Sequence, residues 1–360
     1  MNLADKYISY ISSIRRYSDK TVRNYSAVLD GFLRFAFDDV PEKDGLGDSD
    51  IISALTPGII RGYEVYLMDR RKLIPRTVNL HLSVLSGFCR WMIREGLLQS
   101  NPVRTVAGPK VSKRLPTVFR ESDLGHYFRQ TAIFASPEIL PDPDSFIEKY
   151  KSSRPRGYRP EADRLLSEMY LLSAEPDKFA VWLYEKRLRR AITATLYGTG
   201  MRRAELVSLN KADVDFRRRI VKVKGKGDKM REIPLTGSLS EEILLYLQAV
   251  EMICGSKACG EALFVTAKGQ RLYPEFVDRA VKAELTEAGG FSGKKSPHVL
   301  RHTLATELLD DGTDLYSIKE LLGHSSLAAT QVYTHNTIEK LKKVYQTAHP
   351  RAKNGGKNGD

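Results

Sequence analysis

Between Asn101 and Pro116 the chain reads Asn-Pro-Val-Arg-Thr-Val-Ala-Gly-Pro-Lys-Val-Ser-Lys-Arg-Leu-Pro, rich in proline and cations and without a helical period. Proline fixes φ and lacks an amide donor, so neither a long helix nor a central strand can run through this stretch. The stretch reads as an extended linker between two domains. The expected division is an N-terminal domain over residues 1–104, a basic linker over 105–118, a second domain over 119–352 and a polar, glycine-rich tail over 353–360. A basic linker suits a phosphate backbone, and it reads equally well as a solvated tether.

The first part carries helical signals only. Ser18 and Asp19 can cap a helix to about Phe37, with Val22, Tyr25, Val28, Leu29, Phe32, Leu33 and Ala36 at helical spacing. Thr56-Pro57 reads as an N-cap followed by proline at the first helical position, opening a helix to about Arg71. A third helix runs from Thr77 to about Glu95, and Gly96 is placed to end it. Its pattern matches the first: Thr21 with Thr77, Val28 with Val84, Leu29 with Leu85, Gly31 with Gly87 and Phe32 with Phe88. No repeat of this size continues beyond these helices, so it reads as two helices solving one packing problem rather than as a duplication.

In the second part residues 119–135 look helical. Prolines 137, 141, 143, 155 and 160 predict irregular chain over 136–160, followed by a mixed-charge helix over roughly 161–190. Val214 with Phe216, Ile220–Val223 and Arg231–Leu235 alternate around Gly225-Lys226-Gly227-Asp228, which predicts a small antiparallel sheet with a tight turn. Helices are expected near 239–252, 274–288, 298–310, 315–322, 327–334 and 337–347. The fold class is therefore mainly α with a small antiparallel β-sheet.

Charge narrows the function classes. A net charge of +13 on 360 residues points to a polyanionic partner, either nucleic acid or an anionic membrane surface. No apolar run approaches the roughly 20 residues a spanning helix needs, and the N-terminus lacks a basic segment followed by an apolar one, so no membrane insertion is expected. Cys89, Cys254 and Cys259 are too few and too oddly spaced for a disulfide framework or a zinc knuckle, which suits a reducing cytoplasm.

His298, Arg301 and His302 fall on one face of a helix. A zinc-binding helix of this spacing needs a glutamate after the first histidine, where Val299 stands, and Arg301 would repel a metal. Imidazole beside guanidinium suits an anion instead, although a capping or solvated cluster is the plainer reading of the motif alone. Gly198-Thr-Gly-Met-Arg202-Arg203-Ala-Glu205 is a glycine-bounded turn feeding a helix N-terminus, a setting that binds phosphate, with Glu205 one turn on to hold a guanidinium, and taken alone it reads equally as an ordinary surface i,i+3 pair. Lys226 sits on a hairpin crowded with Lys222, Lys224, Lys229 and Arg231, so a mobile catalytic ammonium and a generic DNA-gripping turn explain it equally. Tyr333 is one of 17 tyrosines, and a phenol of pKa near 10 attacks at neutral pH only with positive charge or a base nearby. The sequence offers no acidic cluster for paired magnesium ions, so no metal is expected.

Taken in order, Gly-Met-Arg202-Arg-Ala-Glu205-Leu, Gly-Lys226-Gly, His298-Val-Leu-Arg301-His-Thr-Leu-Ala-Thr, Leu-Leu-Gly-His324 and Tyr333-Thr-His resemble the tyrosine recombinase (phage integrase) family. His349-Pro350-Arg351-Ala352 is similar to the C-terminal end of its Xer-type members. The resemblance implies an N-terminal helical core-binding (SAM-like) domain and a C-terminal catalytic domain. It implies that Tyr333 attacks the scissile phosphorus, giving a 3′-phosphotyrosyl intermediate and a free 5′-hydroxyl. Arg202 and Arg301 would bind the non-bridging oxygens, His324 would hydrogen-bond the phosphate, Lys226 would protonate the leaving oxygen, His298 would assist proton transfer at the tyrosine, and Glu205 would orient Arg202. No cofactor, metal or ATP is implied, because the covalent bond conserves the phosphodiester energy.

The implied partners are a duplex recombination site, a homo- or hetero-tetramer with another tyrosine recombinase in the synaptic complex, and an accessory or translocase protein, all in the cytoplasm at the nucleoid. Resolution of chromosome dimers at cell division is the expected role. Integration or transposition of a mobile genetic element is the alternative, followed by DNA binding without strand exchange. Three departures from the family pattern stand out: Arg203, expected to meet DNA or the surface; an extended insertion over about 137–182; and the tail over 353–360.

Overall fold

The helical periods and caps of the N-terminal half are realised in the computed structural model, which describes residues 1–37, 46–111, 118–153, 160–225, 229–255, 260–288 and 290–323. It divides into two units, Met1–Arg114 and Leu115–Asp360. The first holds α1 (Leu3–Ser9), a π-helical turn (Tyr10–Ile14), α2 (Asp19–Ala36), α3 (Asp48–Ala54), α4 (Pro57–Asp69) and α5 (Pro75–Arg94). The Ser18 hydroxyl accepts from the Thr21 amide and the Thr56 hydroxyl from the Ile59 amide, with Pro57 opening α4. Gly96 follows α5 with φ of +73°, a conformation that favours glycine.

The matched patterns on α2 and α5 fill the same core: Val28, Leu29 and Phe32 are buried, as are Val84, Leu85 and Phe88. The matched glycines also do the same job. A Cβ on Gly31 would lie 3.1 Å from the Tyr63 hydroxyl, and one on Gly87 would lie 2.9 Å from the Tyr7 hydroxyl. Each helix thus admits a tyrosine from a neighbour at close range.

Part of the stretch expected to be linker packs with the N-terminal unit. Pro102–Thr105 form a 3₁₀ turn, Val103 and Val106 are buried in the N-terminal core, and the Asn79 amide donates to the Pro109 carbonyl at 2.9 Å. Two valines three residues apart give this stretch a face to bury, which the prolines masked in sequence.

In the second unit α9 (Pro176–Thr199) is the pillar. The helices α11 (Gly237–Cys254), α12 (Pro274–Glu287) and α13 (Pro297–Asp310) all pack on it, and its second half is buried all round. Two polar contacts lie within this core: Arg190 Nε is 2.9 Å from Glu242, and the Tyr127 hydroxyl donates to Glu284 at 2.9 Å. Burial pushes the Glu284 carboxyl up to about 7. The sheet has order β1 (Val214–Asp215), β2 (Ile220–Lys224), β3 (Met230–Pro234), antiparallel throughout, with Val223 opposite Arg231. The short helices α10 (Arg203–Ser208) and α14 (Leu315–Leu322) flank it.

The insertion corrects the sequence expectation. After α6 (Glu121–Gln130), the stretch predicted to be irregular contains α7 (Pro143–Ser153), and the single long helix is divided into α8 (Pro160–Ser173) and α9. Pro143, Pro160 and Pro176 stand at first helical positions, where the missing amide costs nothing, so these prolines start helices instead of breaking them. Phe146, Ile147 and Tyr150 of α7 join Met169, Phe179 and Trp182 in a small core separate from the main one. Among the described residues no helix is long and apolar enough to cross a membrane.

Replacing Gly87 by alanine is expected to lower stability. Crowding Tyr7 typically costs about 1–3 kcal/mol, against a helix-propensity gain of about 1 kcal/mol. Urea unfolding of the full chain should show the loss, and adding Tyr7→Phe should relieve it. A Gly87→Ala chain as stable as wild type contradicts the close approach.

Candidate active site

The site begins where α9 ends. Gly200 caps the helix with φ of +60°, and a Cβ there would sit 2.5 Å from Leu322 Cδ2. Only glycine lets the chain turn in this space, and the turn sets Arg202 at the N-cap of α10. Glu205, one turn into α10, accepts the Arg202 backbone amide at 2.7 Å and Arg202 Nη1 at 2.8 Å.

Glu205 accepts a second guanidinium from β3. Arg231 Nη1 lies 3.1 Å from Oε1 and Nη2 lies 2.8 Å from Oε2, a bidentate pair. Both side chains of that pair are only 6% exposed, whereas Arg202 is 40% exposed. Burial pushes Glu205 upward, but the hydrogen bonds and charge of Arg231, then the bonds from Arg202, outweigh it and hold the carboxyl below its ordinary value.

The end of α14 closes the cluster. Arg231 Nε donates to the Leu321 carbonyl at 3.0 Å, Arg301 Nη2 to the Leu322 carbonyl at 2.8 Å, and Arg202 Nη2 to the Gly323 carbonyl at 2.8 Å. Three successive carbonyls of one helix terminus are thus held by three arginines from three different elements. Arg301 also donates to the Gly200 carbonyl at 2.7 Å. Its burial, and then the charge of Arg202, pull its guanidinium down to about 10. Gly323 caps α14 with φ of +65°, and a Cβ there would come 3.0 Å from Arg231 Nη1.

Of the residues expected to act, the structure therefore brings Arg202, Glu205 and Arg301 together. His298 stands in the first turn of α13, with its Nε2 3.0 Å from Nε2 of His302, so one ring donates and the other accepts. Lys226, His324 and Tyr333 lie outside the described residues, as do the helices expected near 327–334 and 337–347. The hairpin carrying Lys226 is closed below its tip by the Gly225 amide donating to the Lys229 carbonyl at 2.8 Å. Arg203 turns onto α12, where it pairs with Asp278.

Arg231 is the residue the sequence reading missed, since it was grouped with the lysines of the hairpin. The signal was strand parity. Arg231 shares its face with Ile233, which is buried, while Lys222 and Lys224 share the exposed face of β2.

The Phage integrase family model matches residues 181–340, and that of its N-terminal SAM-like domain matches residues 4–96. Over 357 residues the chain is 32% identical to the tyrosine recombinase XerC of Chlorobaculum parvum, covering 97% of this chain and 94% of that one. It is 31% identical over 365 residues to the XerC of Bacillus licheniformis, covering 98% of each. The chain belongs to the tyrosine recombinase family. Its relatives make it a site-specific recombinase of the Xer type. The fold agrees: a crystal structure of the XerH recombinase bound to its difH substrate superposes with a TM-score of 0.55 at 17% identity, covering 98% of this chain and 84% of that one. Lambda integrase bound to DNA gives 0.54 at 18% identity, covering 96% and 95%.

Glu205→Gln leaves the Arg231 charge buried without its counter-ion, and breaking such a pair typically costs about 3–5 kcal/mol. The depressed carboxyl stabilises the recombinase above the unfolded glutamate pKa of about 4.3, and that contribution is lost as pH falls through the lower folded value. Denaturant melts from pH 8 to 3 should show a constant gap between wild type and variant above that point, narrowing below it. A gap that does not narrow contradicts the assignment.

Proposed function

We propose that this recombinase cuts and rejoins duplex DNA through Tyr333 and serves to resolve chromosome dimers at cell division. The observation that carries the chemistry is the joint placement of Arg202 and Arg301. Each uses only part of its N–H fork on protein acceptors among the described residues, which leaves donors for the non-bridging oxygens of one phosphate. Donors held in place before charge develops stabilise the transition state without reorganising.

The tyrosine oxygen attacks phosphorus, its proton passing to His298, whose contact with His302 supports a defined tautomer. The 5′-oxygen leaves and takes a proton from Lys226, while His324, next in sequence to Gly323, hydrogen-bonds the phosphate. The 3′-phosphotyrosyl bond is then attacked by the 5′-hydroxyl of the partner strand, which restores the tyrosine and joins the new strand. Exchange between two duplexes needs four protomers, the arrangement of the lambda integrase tetramer on a Holliday junction. Full-length similarity to XerC proteins supports the cell-division role, with an accessory partner and a nucleoid location following from it.

Selection from a random duplex pool should first yield the binding site. A nicked suicide substrate built on that site should trap wild type covalently, while Tyr333→Phe binds and forms no adduct. Absence of an adduct with wild type sinks the reading. Binding should also weaken steeply as salt rises, as phosphate contacts release counter-ions. In the host, loss of the gene should give unresolved chromosome dimers; normal division would favour the mobile-element role.

A further inference from the structure

We infer that Arg231 is a positioning residue for the reaction, holding Glu205 and the end of α14 so that Arg202 meets the phosphate in one orientation. This rests on the reading that Arg202 binds the scissile phosphate. Arg231 differs from the other two arginines in how its fork is used. All three of its nitrogens are engaged by the protein, Nε on the Leu321 carbonyl and both Nη on Glu205, and the side chain is almost wholly buried. Arg301 is as deeply buried, so the use of the fork and not exposure sets Arg231 apart.

Stability alone does not call for an ion pair here, since apolar side chains of similar volume often serve as well or better. What the pair supplies is geometry. Glu205 Oε1 accepts from Nη1 of both Arg202 and Arg231, while Oε2 accepts the Arg202 backbone amide and Arg231 Nη2. With both oxygens shared in this way the carboxylate plane is fixed. Without Arg231 the carboxylate is free to rotate into a bidentate pair with Arg202, drawing that fork away from the phosphate. The Leu321 carbonyl is released at the same time, which loosens the helix end from which the chain continues to His324. A lysine in place of Arg231 keeps the charge but cannot span both carboxylate oxygens and the carbonyl.

The test uses the full-length recombinase and the nicked suicide substrate, with the scissile phosphate made as each phosphorothioate diastereomer. Single-turnover cleavage at saturating DNA, DNA binding and thermal unfolding are measured for wild type, Arg231→Lys, Arg231→Met, Arg202→Lys and the double lysine variant. Both Arg231 variants should bind DNA as wild type and cleave about 10²-fold more slowly, the scale of an ångström misplacement. Their preference between diastereomers should shift in the same direction as that of Arg202→Lys. The double variant should fall little below the worse single, as residues acting through one unit are non-additive. A purely structural role moves only the active fraction, so an unchanged rate constant and diastereomer preference overturns the inference. If Arg231→Met does not fold, Arg231→Lys decides by the same criteria. Wild type without an adduct overturns the phosphate reading and this inference with it, whereas a wild-type adduct with unaffected Arg231 variants overturns this inference alone.

Discussion

A single buried carboxylate, that of Glu205, determines how much positive charge this fold can gather in one place. Three guanidiniums in close company repel one another, and two of them are almost fully buried, where screening by water is weak. Glu205 supplies one full negative charge. Further compensation comes from the carbonyl end of α14, the negative pole of a helix. The Gly200 carbonyl at the end of α9 adds a second such pole, so one anion and two helix ends face three guanidiniums, and the excess positive charge is directed through the exposed Arg202. In the proposed function a phosphate is the anion that answers this excess.

The elements that deliver these groups meet at close quarters for the same reason. Gly200 and Gly323 are left-handed turns within touching distance of Leu322 and Arg231, so the end of α9, the end of α14 and the edge of β3 share one small volume. The stretch over about 137–182 leaves this arrangement untouched. Its helices have their own core, and Arg187 on α9 binds the Ser136 and Glu138 carbonyls where the excursion departs. The excursion therefore adds surface without loading the arginines.

Much of this was legible in the chain and some of it was not. Ser18, Thr56, Pro57 and Gly96 announced helix ends because capping is local chemistry, read within a few residues. Arg202, Glu205 and Arg301 were legible as a set because their order and spacing matched a known pattern. Pro143 misled, since proline at a first helical turn and proline in a loop look alike until the following apolar period is weighed, and Pro176 was passed over inside a helix that it divides. Val103 and Val106 misled likewise: their burial depends on α4 and α5, which a local reading does not place beside them. Arg231 was hidden by its lysine neighbours, although its parity with Ile233 already pointed it inward.

Four of the acceptors in the arginine cluster are main-chain oxygens, at Gly200, Leu321, Leu322 and Gly323. A point mutation can remove a carboxylate but cannot remove a peptide carbonyl. The side chains of Leu321 and Leu322 are therefore free to drift within what the core tolerates, while the hydrogen bonds that position the guanidiniums persist. Only a change in the path of the chain, such as an insertion in α14 or loss of its terminal glycine, reaches them. Much of the grip on the cationic site is thereby inherited with the fold itself, out of reach of most single-letter changes.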